Sequence, residues 1–201
     1  MTLVLLDTNT YLRLAKRIRP MLGVSFGQKN YVLTVLKVVE TEVRRNPRLS
    51  FKHPWFDLED FSRERDAAHI CLTAAEKIAL ENAQSILQGV VRLDLDKYIT
   101  GGRSPPSPTD CRILAFGQIR SAIVVTDDLG MHLLAADFEI PIWHGWQLLS
   151  KMKAAKLISN DLIRDIYDAL ERNGDLTVTW INAKHKEFQR IFGKLPTEGC
   201  G

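Results

Sequence analysis

The sequence predicts an α/β fold: a three-layer α/β/α sandwich around a mostly parallel central sheet, followed by a C-terminal helical extension. Two observations carry this. First, short runs of consecutive apolar residues, Leu3-Val4-Leu5-Leu6 and Ala122-Ile123-Val124-Val125, read as strands buried on both faces, as strands are when helices cover both sides of a parallel sheet. Second, segments of helical period separate the predicted strands, and this alternation builds parallel sheets by helical crossovers.

In order along the chain, the first strand stops abruptly at Asp7. Residues 10–19 read as a helix with Leu12, Leu14, Ala15 and Ile18 as its apolar members and Pro20 helping to end it. Arg13, Lys16 and Arg17 share a face at helical spacing, which suits either a solvated surface or contact with phosphate. A loop over 23–30 precedes a second short strand at 31–35, and a helix over 36–45 stops before Pro47. Residues 48–55 read as irregular, and 57–70 as a weak, highly charged helix. Thr73 followed by Glu76 forms a capping box, opening a helix whose apolar face is Ala75, Ile78, Ala79, Ala83, Ile86 and Leu87 and whose end is Gly89. Residues 90–95 read as extended.

The stretch 101–108, Gly-Gly-Arg-Ser-Pro-Pro-Ser-Pro, reads as a surface loop. It feeds a helix capped by Thr109. A strand over 121–126 then ends at Asp127-Asp128, a helix covers 129–136, a short strand 139–143 and a helix 145–153. Beyond the alternating unit, 159–172 reads as a helix with Leu162, Ile163, Ile166 and Leu170 inward, and 175–192 as a last helix carrying Trp180, Ile181, Phe188 and Ile191. The expected organisation is a domain over 1–150, a helical extension over 151–195 packed on that domain, and a loose tail over 196–201.

Composition narrows the function classes. A chain of 201 residues, 45% hydrophobic, has enough apolar material for a substantial core. A net charge of +3 permits a polyanionic partner without demanding one. Three widely spaced cysteines, Cys71, Cys111 and Cys200, form neither a disulfide framework nor a zinc signature, so a reducing, cytoplasmic setting is expected. No basic segment precedes an apolar one at the N-terminus, and no apolar run reaches membrane-spanning length, so neither a signal peptide nor a membrane partner is expected.

The chemistry-bearing residues are acids. Asp7 and Asp128 follow two different apolar strands, and Asp110 opens a helix feeding the second of them, so all three map to the carboxyl edge of the sheet, where α/β folds place ligands. On position alone Asp7 serves equally as a cap for the next helix, a role Asp, Thr and Asn all fill. Glu42 sits on the helix after the second strand, where Val38 and Val39 mark the core-facing side. Glu40 is the alternative, and two residues so spaced cannot face the same way on a helix. Carboxylates converging at one edge repel one another, which cations or shifted pKa values relieve, and such hard oxygen donors select Mg²⁺ or Mn²⁺.

In that order and at that spacing, Leu6-Asp7-Thr8-Asn9, Val39-Glu40-Thr41-Glu42-Val43, Asp110-Cys111-Arg112-Ile113-Leu114-Ala115 and Val125-Thr126-Asp127-Asp128 resemble the PIN-domain nucleases over about residues 1 to 150. The resemblance implies a metal-dependent ribonuclease whose acids, Asp7, Glu42, Asp110 and Asp128, hold one or two Mg²⁺ or Mn²⁺ ions. Thr8, Asn9 and Thr126 match polar residues that steady the acids or a phosphate. Asp127 stands where many relatives have Asn, as a fifth acid or a cap. Small bacterial members are toxins of VapC type silenced by an antitoxin, and members often form homodimers. This chain is similar in architecture but longer between its second and third acids and in its tail.

Arg44 and Arg45 could guide RNA to the groove or simply close a helix end. Cys111 reads as core rather than nucleophile, since no His stands near it in sequence to activate it. His132 and His144 come nearest the acidic edge, and Trp143 and Trp146 read as packing residues. Three other functions compete. One is a haloacid-dehalogenase-like phosphatase, which needs a second acid where this chain has Asn9. The others are a non-catalytic RNA- or protein-binding module and a structure-specific DNA nuclease.

Overall fold

The computed structural model describes residues 1–99 and 104–194. Five strands form one sheet: β1 (Thr2–Leu6), β2 (Ser25–Phe26), β3 (Tyr31–Thr34), β4 (Ile123–Val125) and β5 (Ile142–Trp143), in the order β2-β3-β1-β4-β5. β1 pairs in parallel with β3 on one side and β4 on the other, and β5 is parallel to β4. Only β2 runs antiparallel. Helices flank this sheet, as the apolar runs predict. Val4, Leu5 and Leu6 are wholly buried because β1 is central and covered on both faces.

The chain divides into two compact units, Met1–Gly145 and Trp146–Gly201. The division falls five residues before the expected boundary, so most of the helix after β5 belongs to the second unit. In the first unit the helices are α1 (Thr8–Leu14), α2 (Lys37–Arg45), α3 (Pro47–Lys52), α4 (Glu59–Ala67), α5 (Ala74–Leu93), α6 (Leu95–Tyr98), α7 (Pro108–Ile119) and α8 (Leu129–Asp137). Then come α9 (Gly145–Ala154), α10 (Asn160–Arg172), α11 (Val178–Lys186) and α12 (Gln189–Phe192). The second unit has its own aromatic core. Tyr167 packs against Trp180, Phe188 and Phe192, with ring centroids 5.3, 5.7 and 4.8 Å away, and donates to the Trp180 carbonyl.

Several expectations are corrected. The first helix starts at Thr8 and ends at Leu14, so Lys16 and Arg17 lie beyond it and do not share a helical face with Arg13. The loop before β3 contains β2, a two-residue edge strand too short for any periodicity. Its turn is marked by Gly27 and Asn30, both at positive φ (68° and 49°). The irregular segment after Pro47 is helix α3 and a 3₁₀ turn at Pro54–Asp57. Asn46 caps α3 by accepting from the Arg48 and Leu49 amides, so Asn-Pro both ends one helix and starts the next.

α5 runs straight through Gly89 to Leu93, so the expected extended segment 90–95 is the last turn of α5 and the start of α6. The face of α5 turned inward is Leu80, Leu87 and Val91, packed along α7, whereas Ile78 and Ile86 of the predicted face are exposed. α7 is capped by Ser107, not Thr109, with Pro108 in its first turn. The last predicted helix is two, α11 and α12. Residues 101–103 of the predicted loop, and the tail 196–201, lie outside the described residues. Among the described residues no helix is long and apolar enough to cross a membrane.

Candidate active site

β1 is where the strand order reverses, with β3 on one side and β4 on the other, so its carboxyl end opens on the topological switch point of the sheet. Asp7 stands there. Its amide continues the sheet by donating to the Val125 carbonyl, which holds the first turn of α1 against the end of β4. Asp7 both caps a helix and is buried in the site. One carboxylate oxygen accepts from the Thr10 amide (2.6 Å), and the other accepts from the Thr126 hydroxyl (2.6 Å). With 3% of its surface exposed, burial raises its pKa to about 7 against these hydrogen bonds, and the nearby charge of Asp110 adds to the rise.

The other acids are set by equally local devices. Ser107 and Asp110 form a capping box at the start of α7: the Ser107 amide donates to Asp110 Oδ2 (2.8 Å) and the Asp110 amide to Ser107 Oγ (3.2 Å). Burial raises the Asp110 pKa, and so do the charges of Glu42 and Asp128. Asp128 caps α8, accepting from the Met131 amide with Oδ1 (2.9 Å), and its own amide donates to Thr126 Oγ1 (3.1 Å). Thr126, wholly buried, therefore ties Asp7 to Asp128. Glu42 reaches in from α2, where Thr8 donates its hydroxyl to Oε2 (2.5 Å). Four elements thus deliver four carboxylates: Glu42 and Asp128 act electrostatically on Asp110, and Asp110 acts on Asp7.

Glu40, the alternative to Glu42, has different surroundings. Glu40 is buried and compensated by Lys37 (3.2 Å), Arg44 (3.3 Å) and Arg65 (3.9 Å). Arg65 is itself buried over the Phe56 ring, 3.8 Å from its centroid, with Tyr11 Oη 3.4 Å from Nη1. Glu40 is therefore the centre of a structural ion cluster. Among the described residues, none of Asp7, Glu42, Asp110 and Asp128 is ion-paired.

The remaining predicted residues separate clearly. Asp127 is braced, not projected: Arg13 Nη1 lies 3.1 Å from Oδ2, and the Gly145 amide donates to Oδ1 (3.0 Å). Arg13 is thus tied to Asp127 at the end of β4, and is neither the freely solvated side chain nor the uncommitted phosphate contact that its spacing suits. Arg44 is likewise engaged, by Glu40 and by Asp57 (3.0 Å). Lys16 and Arg45 are exposed. Asn9 is exposed too; the hydrogen bonds that brace Asp7 come from the Thr10 amide and the Thr126 hydroxyl. Cys111 is buried, with its thiol pushed up to about 11 by burial and by Asp110, which suits a core residue.

Sequence reading missed Ser107, although Ser107-Pro108-Thr109-Asp110 carries a capping-box pattern with Pro in the first turn. It also left His132 without a role. His132 stacks on His144 (centroids 4.0 Å apart) and directs Nε2 at the Thr126 carbonyl (2.9 Å), fixing the turn that carries Thr126. The contact spans only six residues, but nothing in the residue types signals that this ring, one turn into α8, folds back onto the preceding strand end.

The donor chemistry fits a hard divalent cation, since the acids are carboxylates without a cationic partner among the described residues, and like charge adds to the raised pKa of Asp7 and Asp110. Among the described residues, however, no three His, Cys, Asp or Glu stand close enough to hold a metal jointly. No protein-family model, curated protein or solved structure matches this chain.

Proposed function

We propose that the chain is a metal-dependent endoribonuclease. The observation that carries this reading is the set of four carboxylates at the sheet's switch point, each fixed by a separate cap or hydroxyl and none neutralised by a described cation. Such a set stores repulsion that a divalent ion relieves. Asp7, Glu42, Asp110 and Asp128 would hold Mg²⁺ or Mn²⁺. A divalent ion held there would supply an ionised water for in-line attack and charge shielding for a phosphodiester.

The chain's own contribution is positional. Asp110 offers Oδ1, Asp128 Oδ2 and Glu42 Oε1 to the site, because the other oxygen of each carboxylate is occupied by Ser107, Met131 and Thr8. Asp7 accepts one bond on each oxygen and keeps a second lone pair on each. RNA as substrate rests on the resemblance to the PIN nucleases, and the toxin role with an antitoxin partner belongs to the same proposal.

The test uses labelled single-stranded RNA and Mn²⁺, with and without chelator, on the full chain beside Asp7→Asn, Asp110→Asn and Glu40→Gln. The wild type should cleave and the chelator should stop it. Losing partners that only support a metal ligand costs roughly 10–100-fold, so losing an acid itself should cost more, while Glu40→Gln cleaves wherever it is folded. Cleavage that survives both Asp→Asn changes would refute the assignment. Growth arrest on induced expression that vanishes with Asp7→Asn would support the toxin branch.

A further inference from the structure

Among the described residues, Phe51 is the one aromatic side chain left largely in solvent, 90% exposed, while the other exposed large apolar residues are aliphatic. Its ring meets no other aromatic ring among the described residues. Helix α3 explains the placement. Leu49 and Ser50 are its half-buried side, and the Ser50 hydroxyl donates to the Val43 carbonyl of α2 (2.8 Å). At 100° per residue, Pro47, Phe51, Arg48 and Lys52 fill the remaining arc of about 140° in that order. All four are exposed, and none is an acid.

The charge around the ring continues toward the acids. Arg45 stands one turn beyond Glu42 on the same side of α2, whereas Arg44 stands on the side of its partner Glu40. Arg45 and Arg48 make no side-chain ion pair among the described residues. The acids that follow α3, Asp57 and Glu59, are paired with Arg44 and Arg63. An open aromatic ring bordered by cations has both parts of a single-strand site: the ring stacks an unpaired base, and the guanidinium groups meet phosphates. An apolar protein surface would cover the ring but bury these cations without counter-charge, which is costly. A duplex keeps its base faces stacked on one another and offers none to the ring. The chain path from Glu42 to Phe51 is at most about 20 Å, so one strand can occupy both places.

We propose that the outer face of α3 is a single-strand platform, on which Phe51 stacks with an unpaired RNA base while Arg48 and Arg45 hold the adjoining phosphates. The identity of the strand rests on the nuclease reading. The test separates the two. Fluorescence anisotropy follows labelled RNA binding to the full chain in chelator, so that cleavage does not intervene. The wild type should bind a single strand more tightly than a duplex of equal length. Phe51→Ala should weaken binding about 5- to 150-fold, the range for losing one base–aromatic stack. Phe51→Leu, which keeps apolar bulk without a π face, should weaken it comparably, and Phe51→Trp should retain it. Arg48→Gln should lower the slope of log affinity against log salt by about 0.7, the share of one phosphate on a single strand. Urea midpoints should not move, because both side chains are exposed. With Mn²⁺, Phe51→Ala should raise KM and leave kcat nearly unchanged. Absence of RNA binding, a duplex bound as tightly as a strand, or Phe51→Leu binding like wild type would overturn the platform. Cleavage indifferent to Phe51 would overturn it and leave the nuclease reading standing. Phe51-dependent binding by a chain that cleaves nothing would support the platform and refute the nuclease reading.

Discussion

Glu40 and Glu42 stand two positions apart on α2, and the molecule treats them in opposite ways. Glu40 is the more buried and sits among Lys37, Arg44 and Arg65. Glu42 is half-buried, accepts one hydroxyl from Thr8, and acts electrostatically on another acid, Asp110. A turn of about 200° about one helix separates a carboxylate set among three cations from one that accepts a hydroxyl and acts on another acid. Burial by itself therefore does not distinguish a charge balanced by cations from one placed near like charge.

The comparison is tested hardest at Glu40. Glu40→Gln leaves the buried Arg65 guanidinium without a counter-charge, and breaking a buried pair from one side costs about 3–5 kcal/mol. Urea denaturation should show a loss of that order. If the loss is below about 1 kcal/mol, the cluster is not structural.

Asp7 should behave in the reverse sense. Its folded-state pKa, about 7, lies above its ordinary value of 3.8. The folded chain thus binds this proton more tightly than the unfolded chain does. The resulting stability is fully present below about pH 4 and is lost as pH rises to 7, by up to about 1.4 kcal/mol per pH unit. Asp7→Asn keeps an acceptor for the Thr10 amide and removes the titration. With chelator present, the variant should match the wild type near pH 4 and exceed it at pH 8. A wild type whose stability rises from pH 5 to 8, with Asp7→Asn following it in parallel, would contradict the assignment.

Smaller effects follow at the supports. Ser107→Ala removes a helix cap and should cost about 1 kcal/mol while loosening Asp110. Glu42→Gln retains an acceptor for Thr8 and relieves repulsion on Asp110, so its stability should stay within about 0.5 kcal/mol of wild type. Measured side by side, Glu40→Gln and Glu42→Gln should differ by several-fold in cost.

What could be read from sequence follows the range of the interactions involved. Two-sided burial of Val4, Leu5 and Leu6 was visible because a run of apolar residues is a local record of a central strand. The ends of β1 and β4, and hence Asp7 and Asp128, came with it. β2 was invisible because two residues carry no period, and α3 because Pro47 was read only as a stop. The inner face of α5 was misjudged because that helix is apolar on both sides, so amphipathicity could not choose between them. Glu42 and Glu40 could not be separated, since the deciding partners, Thr8 and Arg65, lie 34 and 25 positions away in the chain. The pairing of Arg13 with Asp127 is hidden for the same reason, the two being 114 residues apart.

The most direct test of the central claim is thermal unfolding of the full chain across a Mn²⁺ series, read without any substrate. A cation held by the folded state alone raises the midpoint as its concentration increases. The wild type should rise at millimolar Mn²⁺, Asp110→Asn and Glu42→Gln should lose most of that rise, and Glu40→Gln should keep it from a lower starting point. A wild type indifferent to Mn²⁺ and Mg²⁺, or a rise undiminished in Asp110→Asn, would contradict the claim that these acids form a cation site.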